Sequence, residues 1–232
     1  MSQFDYKQFY TRNRPHIHPP NSILFITFRL AGSVPKAVLN QYKAERIWFE
    51  KEVQKTADEE RQVHLLEFQR RWFRRFEEIT DRAKDGPMWL AENEIRQIVI
   101  DKMIRDDGSA YRLDAFCIMS NHIHLVIKPN ISERNLVEDR SSRRLRFVSS
   151  EKTLATIMQG VKGSTAYEAN KKLGRQGPFW EKESYDRYVR DDAEFHRVVK
   201  YTLNNPVKAG LISDWREWPG NYLAPRLKSI MD

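Results

Sequence analysis

Apolar positions along the chain change spacing several times, and each change marks an element. Residues 23–30 (Ile-Leu-Phe-Ile-Thr-Phe-Arg-Leu) are a short run of β-branched and aromatic residues. They predict a buried strand, ended by Ala31-Gly32. Pro35 is well placed to open a helix. From there to about Lys84 the spacing is helical: Leu39, Tyr42, Phe49 and Val53 form one stripe, and Leu65, Phe68, Trp72, Phe76 and Ile79 a second. The polar patch at residues 56–61 separates them, so this segment reads as one long helix or an antiparallel helical pair. Asp85-Gly86-Pro87 breaks the pattern. A helix over residues 89–105 follows, with Ile95, Ile98, Val99 and Met103 inward, and Asp107-Gly108 ends it. Next come a strand over 111–119, a tight turn at Ser120-Asn121 and a strand over 122–127. Residues 129–150 are polar and rich in Arg (134, 140, 143, 144 and 146) and read as a mobile loop. A helix over about 152–173 leads into a loop through Gly174 and Gly177-Pro178, with room for a short strand beyond it. The last helix, 191–205, is stopped by Pro206. This order, without internal repeats, predicts an α+β sandwich with helices packed on an antiparallel sheet.

Composition narrows the class. Six Trp and twelve Phe among 232 residues can supply a core. No apolar run approaches the roughly 20 residues of a membrane span, and the polar, aromatic stretch from Met1 to Arg14 is not a secretory leader. A single cysteine, Cys117, excludes an internal disulfide, so a cytoplasmic location is expected. The net charge of +8 and pI near 9.5 favour polyanions, because Lys and Arg release counterions from phosphates. The charge does not reside in the helical segment, where residues 36–85 hold twelve basic and eleven acidic side chains. That segment reads as a solvated amphipathic insertion rather than a binding arm. The cluster Arg70, Arg71, Arg74 and Arg75 favours the arm.

Two constellations could carry chemistry. His-Ile-His occurs twice, at 16–18 and 122–124. The first runs into Pro19-Pro20, which cannot continue a central strand. The second lies in a strand, where alternation points His122 and His124 to one face while Ile123 and Leu125 anchor the other. Two imidazoles on a rigid face can bind one divalent ion, although the same pattern also fits surface histidines on a half-exposed strand. Tyr201 and Asn205 are four apart on the last helix, so they share a face. A phenol there can be aimed at a phosphate and the amide can be a further ligand. The plain alternative is a surface aromatic followed by a helix stop.

Together these segments resemble the REP-associated tyrosine transposases, of the single-tyrosine HUH transposases. The resemblance runs in order from about Ile23 to Trp218. It is specific at the histidine strand, at Gly177-Pro178-Phe179-Trp180 through Asp186-Arg187, and at residues 201–211. It implies one domain over residues 1–232, with a ferredoxin-like antiparallel sheet flanked by helices. Residues 36–86 would be a helical insertion and 129–150 an Arg-rich loop. It implies His122 and His124 as ligands of Mg²⁺ or Mn²⁺, Asn205 at the third ligand position, and Tyr201 as nucleophile. The expected activity is cleavage and strand transfer of hairpin-bearing single-stranded DNA through a 5′-phosphotyrosine link. Tyr185 and Tyr188 lack an amide four residues on, where Val189 and Asp192 stand. Basic and aromatic side chains expected to hold DNA are Arg12, Arg14, Lys162, Arg175, Trp180 and Arg187, taken as a group. Trp180 also suits a core, and Arg187 an ion pair with Asp186 or Glu183. Other readings are a non-catalytic single-stranded nucleic-acid-binding protein on this fold, and a hydrolase using water with Tyr201 structural. A site composed within one chain favours a monomer over the dimers that exchange the tyrosine helix.

Overall fold

The computed structural model describes residues 9–11, 15–17, 21–56, 58–82, 86–130, 136–139, 144–147 and 154–230. Strands β1 (Phe9–Thr11) and β2 (Pro15–Ile17) pair as a small ladder. The main sheet begins with β3 (Ile23–Arg29). Helices α1 (Lys36–Val53), α2 (Asp58–Arg82) and α3 (Asn93–Asp106) follow. The chain returns through β4 (Tyr111–Ile118) and β5 (His122–Pro129). Strands β6 (Leu136–Asp139) and β7 (Arg144–Phe147) come next, then α4 (Leu154–Lys172) and β8 (Tyr185–Val189). Helices α5 (Asp192–Leu203) and α6 (Asn205–Lys208) and strand β9 (Asn221–Leu223) complete the order.

The five-stranded sheet has the order β8-β3-β5-β4-β9, and every pairing is antiparallel. The connections make a split β-α-β-β-α-β arrangement, with β9 added beside β4, as the ferredoxin-like expectation requires. Side-chain alternation divides the sheet into two faces. Leu24, Ile26, Phe28, Ile123, Leu125, Ile127 and Phe116 pack with Ile95, Val99 and Met103 of α3 and with Ile157, Met158 and Val161 of α4. On the other face Phe25, Ala115 and Val126 pack with Phe195, Val198, Val199 and Leu203 of α5. The register Thr27↔His124 and Arg29↔His122 places polar side chains on this second face, in line with Phe25.

The helical segment is an antiparallel pair: Tyr42 meets Trp72 and Phe76, and Phe49 stacks on Phe68. It is not merely solvated. Phe73 of α2 stacks on Tyr185 with ring centroids 3.8 Å apart and meets Phe25 edge-on, so α2 lies over the second face of the sheet. Arg71 and Arg75 cover the rings of Phe68 and Trp72. Inside the segment expected as a mobile, Arg-rich loop, β6 and β7 pair antiparallel.

Gly220 precedes β9. A Cβ there would collide with the carbonyl oxygen of Ile118, while the Gly220 carbonyl accepts from Ile118 N at 2.8 Å. Gly220→Ala is expected to lower stability by about 1–3 kcal/mol, as forced overpacking does. A thermal melt measures this, and an unchanged midpoint would contradict the close approach.

Candidate active site

The histidine strand is fixed by its turn. Met119 N donates to His122 O at 2.9 Å, so the chain reverses tightly through Ser120 and Asn121. Both imidazoles are fully buried on the α5 face. Asn121 Nδ2 donates to the Thr80 carbonyl of α2 at 3.1 Å. The amide oxygen of Asn121 therefore faces His122 Nδ1, 2.8 Å away. An oxygen can only accept, so Nδ1 of His122 carries the proton and its Nε2 presents a lone pair. His124 Nδ1 lies 2.8 Å from Thr27 Oγ1, which can donate or accept. The two Nε2 atoms are 3.1 Å apart. Burial drives both pKa values down, to about 4 for His122 and well below the usual range for His124. Burial thus disfavours the charged form of both rings, and neutral imidazole is the form that binds metal.

Tyr201 reaches the same place from α5. Asp191 caps this helix by accepting from Glu194 N at 2.7 Å. The inward stripe Phe195, Val198, Val199 and Leu203 then sets the helix rotation. The Tyr201 ring lies 5.6 Å from the His124 ring and 5.9 Å from Phe25, which itself stacks on His124 at 5.7 Å. The helix does not run through Asn205 as the spacing predicted. It ends at Leu203, and Pro206 sits in the first turn of α6. Proline tolerates that position because its missing N–H has no partner to lose there. Asn205 opens α6, 1% exposed, and neither of its amide atoms makes a geometric hydrogen bond. It is close enough to favour the ionised phenol slightly.

Two acidic side chains complete the site, and neither was expected. Glu77 and Asp81 lie one turn apart on α2. The Tyr201 hydroxyl donates to Glu77 Oε2, while Glu77 Oε1 lies 3.6 Å from His124 Nε2. Asp81 Oδ1 lies 3.5 Å from His122 Nε2, and its other oxygen meets Lys208 Nζ at 3.2 Å. Burial pushes the Glu77 carboxyl up to about 7, against the lowering effect of the Tyr201 hydrogen bond. Burial and the nearby Glu77 charge raise the Tyr201 phenol above its usual range. Arg29, 8% exposed beneath the Phe76 ring, and Lys208 put positive charge beside His122. The signal for Glu77 and Asp81 was a line of residues four apart, Phe73, Glu77 and Asp81, continuing an apolar stripe into acid.

The expected DNA-holding residues do not converge here. Arg12 and Arg14 lie outside the described residues, as do the side chains of the first histidine pair. Trp180 is 6% exposed, packs edge-on to Phe28 and donates to Thr165 Oγ1 at 2.9 Å, so its ring belongs to the opposite core. Lys162 donates to the carbonyls of Glu181 and Lys182 at 2.6 and 3.0 Å, fastening that loop to α4. Arg175 covers the Trp89 ring and donates to Asn170 and Pro178. Arg187 alone of the described ones is on the histidine face, over Phe25 and paired with Glu194 rather than Asp186 or Glu183.

A divalent ion fits the donors present. Two bonds of about 2.1 Å to one ion put neighbouring donors about 3.0 Å apart at right angles and about 3.4 Å apart in a tetrahedron. The 3.1 Å between the histidine nitrogens suits such sharing. The buried, unpartnered amide of Asn205 is a further donor of the right chemistry. Among the described residues no three His, Cys, Asp or Glu side chains are already gathered round one point.

A five-stranded antiparallel sheet with a His-x-His strand, and a tyrosine delivered from a following helix, is the arrangement that the HUH resemblance implies. The chain is 26% identical over 105 residues to a putative REP-associated tyrosine transposase of Haemophilus influenzae, covering 45% of this chain and 54% of that protein. It is 27% identical over 101 residues to an uncharacterized protein of the same organism, covering 41% and 54%. The chain thus spans about half the length of the curated relatives it matches. Among solved structures, a REP-associated tyrosine transposase bound to a REP hairpin aligns at 13% identity with a TM-score of 0.44, covering 91% of this chain and 80% of that one. No protein-family model matches. The similarity to a putative REP-associated tyrosine transposase thus extends over about a hundred residues. No described helix is long and apolar enough to cross a membrane.

Proposed function

We propose that this chain is a metal-dependent endonuclease and strand transferase for hairpin-bearing single-stranded DNA, with Tyr201 as nucleophile. One observation carries the reading: a buried pair of histidines and a tyrosine from a separate helix meet on one face of the sheet, with the His124 and Tyr201 rings 5.6 Å apart. The basic charge of the chain and the name of its curated relative support DNA as the substrate.

His122, His124 and Asn205 would hold Mg²⁺ or Mn²⁺. When bound there, such an ion polarises a phosphate and stabilises charge on its oxygens. The protein's own residues do the rest. Arg29 and Lys208 offset phosphate charge beside the histidines. Phe25 and His124 fix the approach of the phenol, and Glu77 holds its hydroxyl hydrogen. The Tyr201 oxygen forms a bond to phosphorus as the bond to the 3′-oxygen breaks. The phenol gives up its proton and the leaving 3′-oxygen gains one. The 5′-phosphotyrosine keeps the bond energy, so a second 3′-hydroxyl can reverse the step and join strands.

The test is Mn²⁺-dependent cleavage of a hairpin oligonucleotide with a 5′ single-stranded tail, scored on a denaturing gel against the duplex alone. A discrete nick in the tail is expected. Binding without cleavage would favour the non-catalytic reading.

A further inference from the structure

Resting on the metal reading just given, we propose that Glu77 and Asp81 of the inserted helix α2 are donors to the same divalent cation as His122 and His124. The four groups form a row. Glu77 Oε1 is 3.6 Å from His124 Nε2, which is 3.1 Å from His122 Nε2, which is 3.5 Å from Asp81 Oδ1. These gaps are close to those between neighbouring ligands of one ion, about 3.0–3.4 Å.

The chemistry of the row is the stronger argument. His122 Nε2 is a lone pair, because Asn121 fixes the proton on Nδ1. Glu77 Oε1 and Asp81 Oδ1 are buried and make no hydrogen bond among the described residues. The amide oxygen of Asn205 is likewise buried and makes no hydrogen bond among the described residues. Glu77 Oε1, His122 Nε2 and Asp81 Oδ1 are thus acceptors along one row, and the group among them that can donate, His124 Nε2, has at most one hydrogen to give. Buried acceptors left without a partner are destabilising, and a cation satisfies all of them together. Lys208 answers only the outer oxygen of Asp81.

Position also matters. Glu77 is 7% exposed, and its other oxygen accepts from the Tyr201 hydroxyl. One carboxylate thus links the nucleophile to the cation, and binding asks only that the ends of the row close on the histidines. The long segment between β3 and α3 then serves to carry donors across the open face of the sheet.

Mn²⁺ binding to the full chain, read by electron paramagnetic resonance of the free ion, tests this without reference to cleavage. Glu77→Gln and Asp81→Asn, which keep shape, are each expected to weaken Mn²⁺ binding at least about tenfold, as loss of support to a metal site does. The double variant is expected to lose more and to lose the rise in melting temperature that Mn²⁺ gives the parent protein. Parent-like affinity in the double variant, with binding abolished by His122→Ala, would overturn the inference and leave the proposed function standing. Absence of Mn²⁺ binding in the parent protein would overturn both.

Discussion

His122→Ala is expected to reduce strand cleavage by about a thousandfold or more while hairpin affinity stays within a few-fold. A metal that polarises a phosphate contributes several kcal/mol to the transition state, and each 1.36 kcal/mol is about tenfold in rate. Affinity behaves differently because it comes mainly from Lys and Arg contacts to phosphates spread over the molecule. His122 is fully buried, so a melt must accompany the assay to separate lost chemistry from lost fold. The same substitution in the first pair, His16→Ala, is expected to leave cleavage intact. If His16→Ala abolished cleavage and His122→Ala did not, the site would be misplaced.

The second large effect concerns stability. Phe25 is 1% exposed at the centre of the second face. It stacks on His124, meets Tyr201 and Phe73 edge-on, and lies under Arg187. One ring thus carries contacts from β5, α5, α2 and β8. Phe25→Ala is expected to cost about 3–5 kcal/mol through lost burial and the cavity left behind. For a chain of this size that lowers the melting midpoint by roughly 6–20 °C. Phe25→Leu should keep part of that stability but not the stacking on His124. Calorimetry of the two variants checks the order, and a parent-like midpoint for Phe25→Ala would contradict this account of the core.

What could be read from sequence follows from what local pattern encodes. Strands β3, β4 and β5 were legible because they are buried on at least one face and bounded by sharp turns, Ala31-Gly32 and Ser120-Asn121. The shared face of His122 and His124 follows from strand alternation alone. Asn205 shows the opposite case. Its spacing from Tyr201 assumed one helix, yet α5 ends at Leu203 and Pro206 sits in the first turn of α6, so the break at Asn204 rather than helix periodicity sets the direction of Asn205. β9 was missed because Asn221–Leu223 is three residues long and follows Trp218-Pro219-Gly220, which reads as loop. Trp180 looked available for stacking because sequence does not tell a core tryptophan from a platform.

Glu77 and Asp81 were hidden for a different reason. Net charge averages over a segment, and residues 36–85 are nearly neutral, so a solvated helix was the natural reading. Which acids face inward depends on helix rotation. That rotation is set by Phe73 packing on Tyr185 and Phe25, contacts more than a hundred residues apart for Tyr185 and set by the fold.

The central claim is that Tyr201 becomes covalently joined to DNA. The direct measurement is mass spectrometry of protease-digested protein after incubation with Mn²⁺ and the tailed hairpin. The expected result is a peptide containing Tyr201 that carries a 5′-phosphorylated nucleotide, absent from Tyr201→Phe. Cleavage that continues in Tyr201→Phe, or a nucleotide joined instead to Tyr185 or Tyr188, would contradict it.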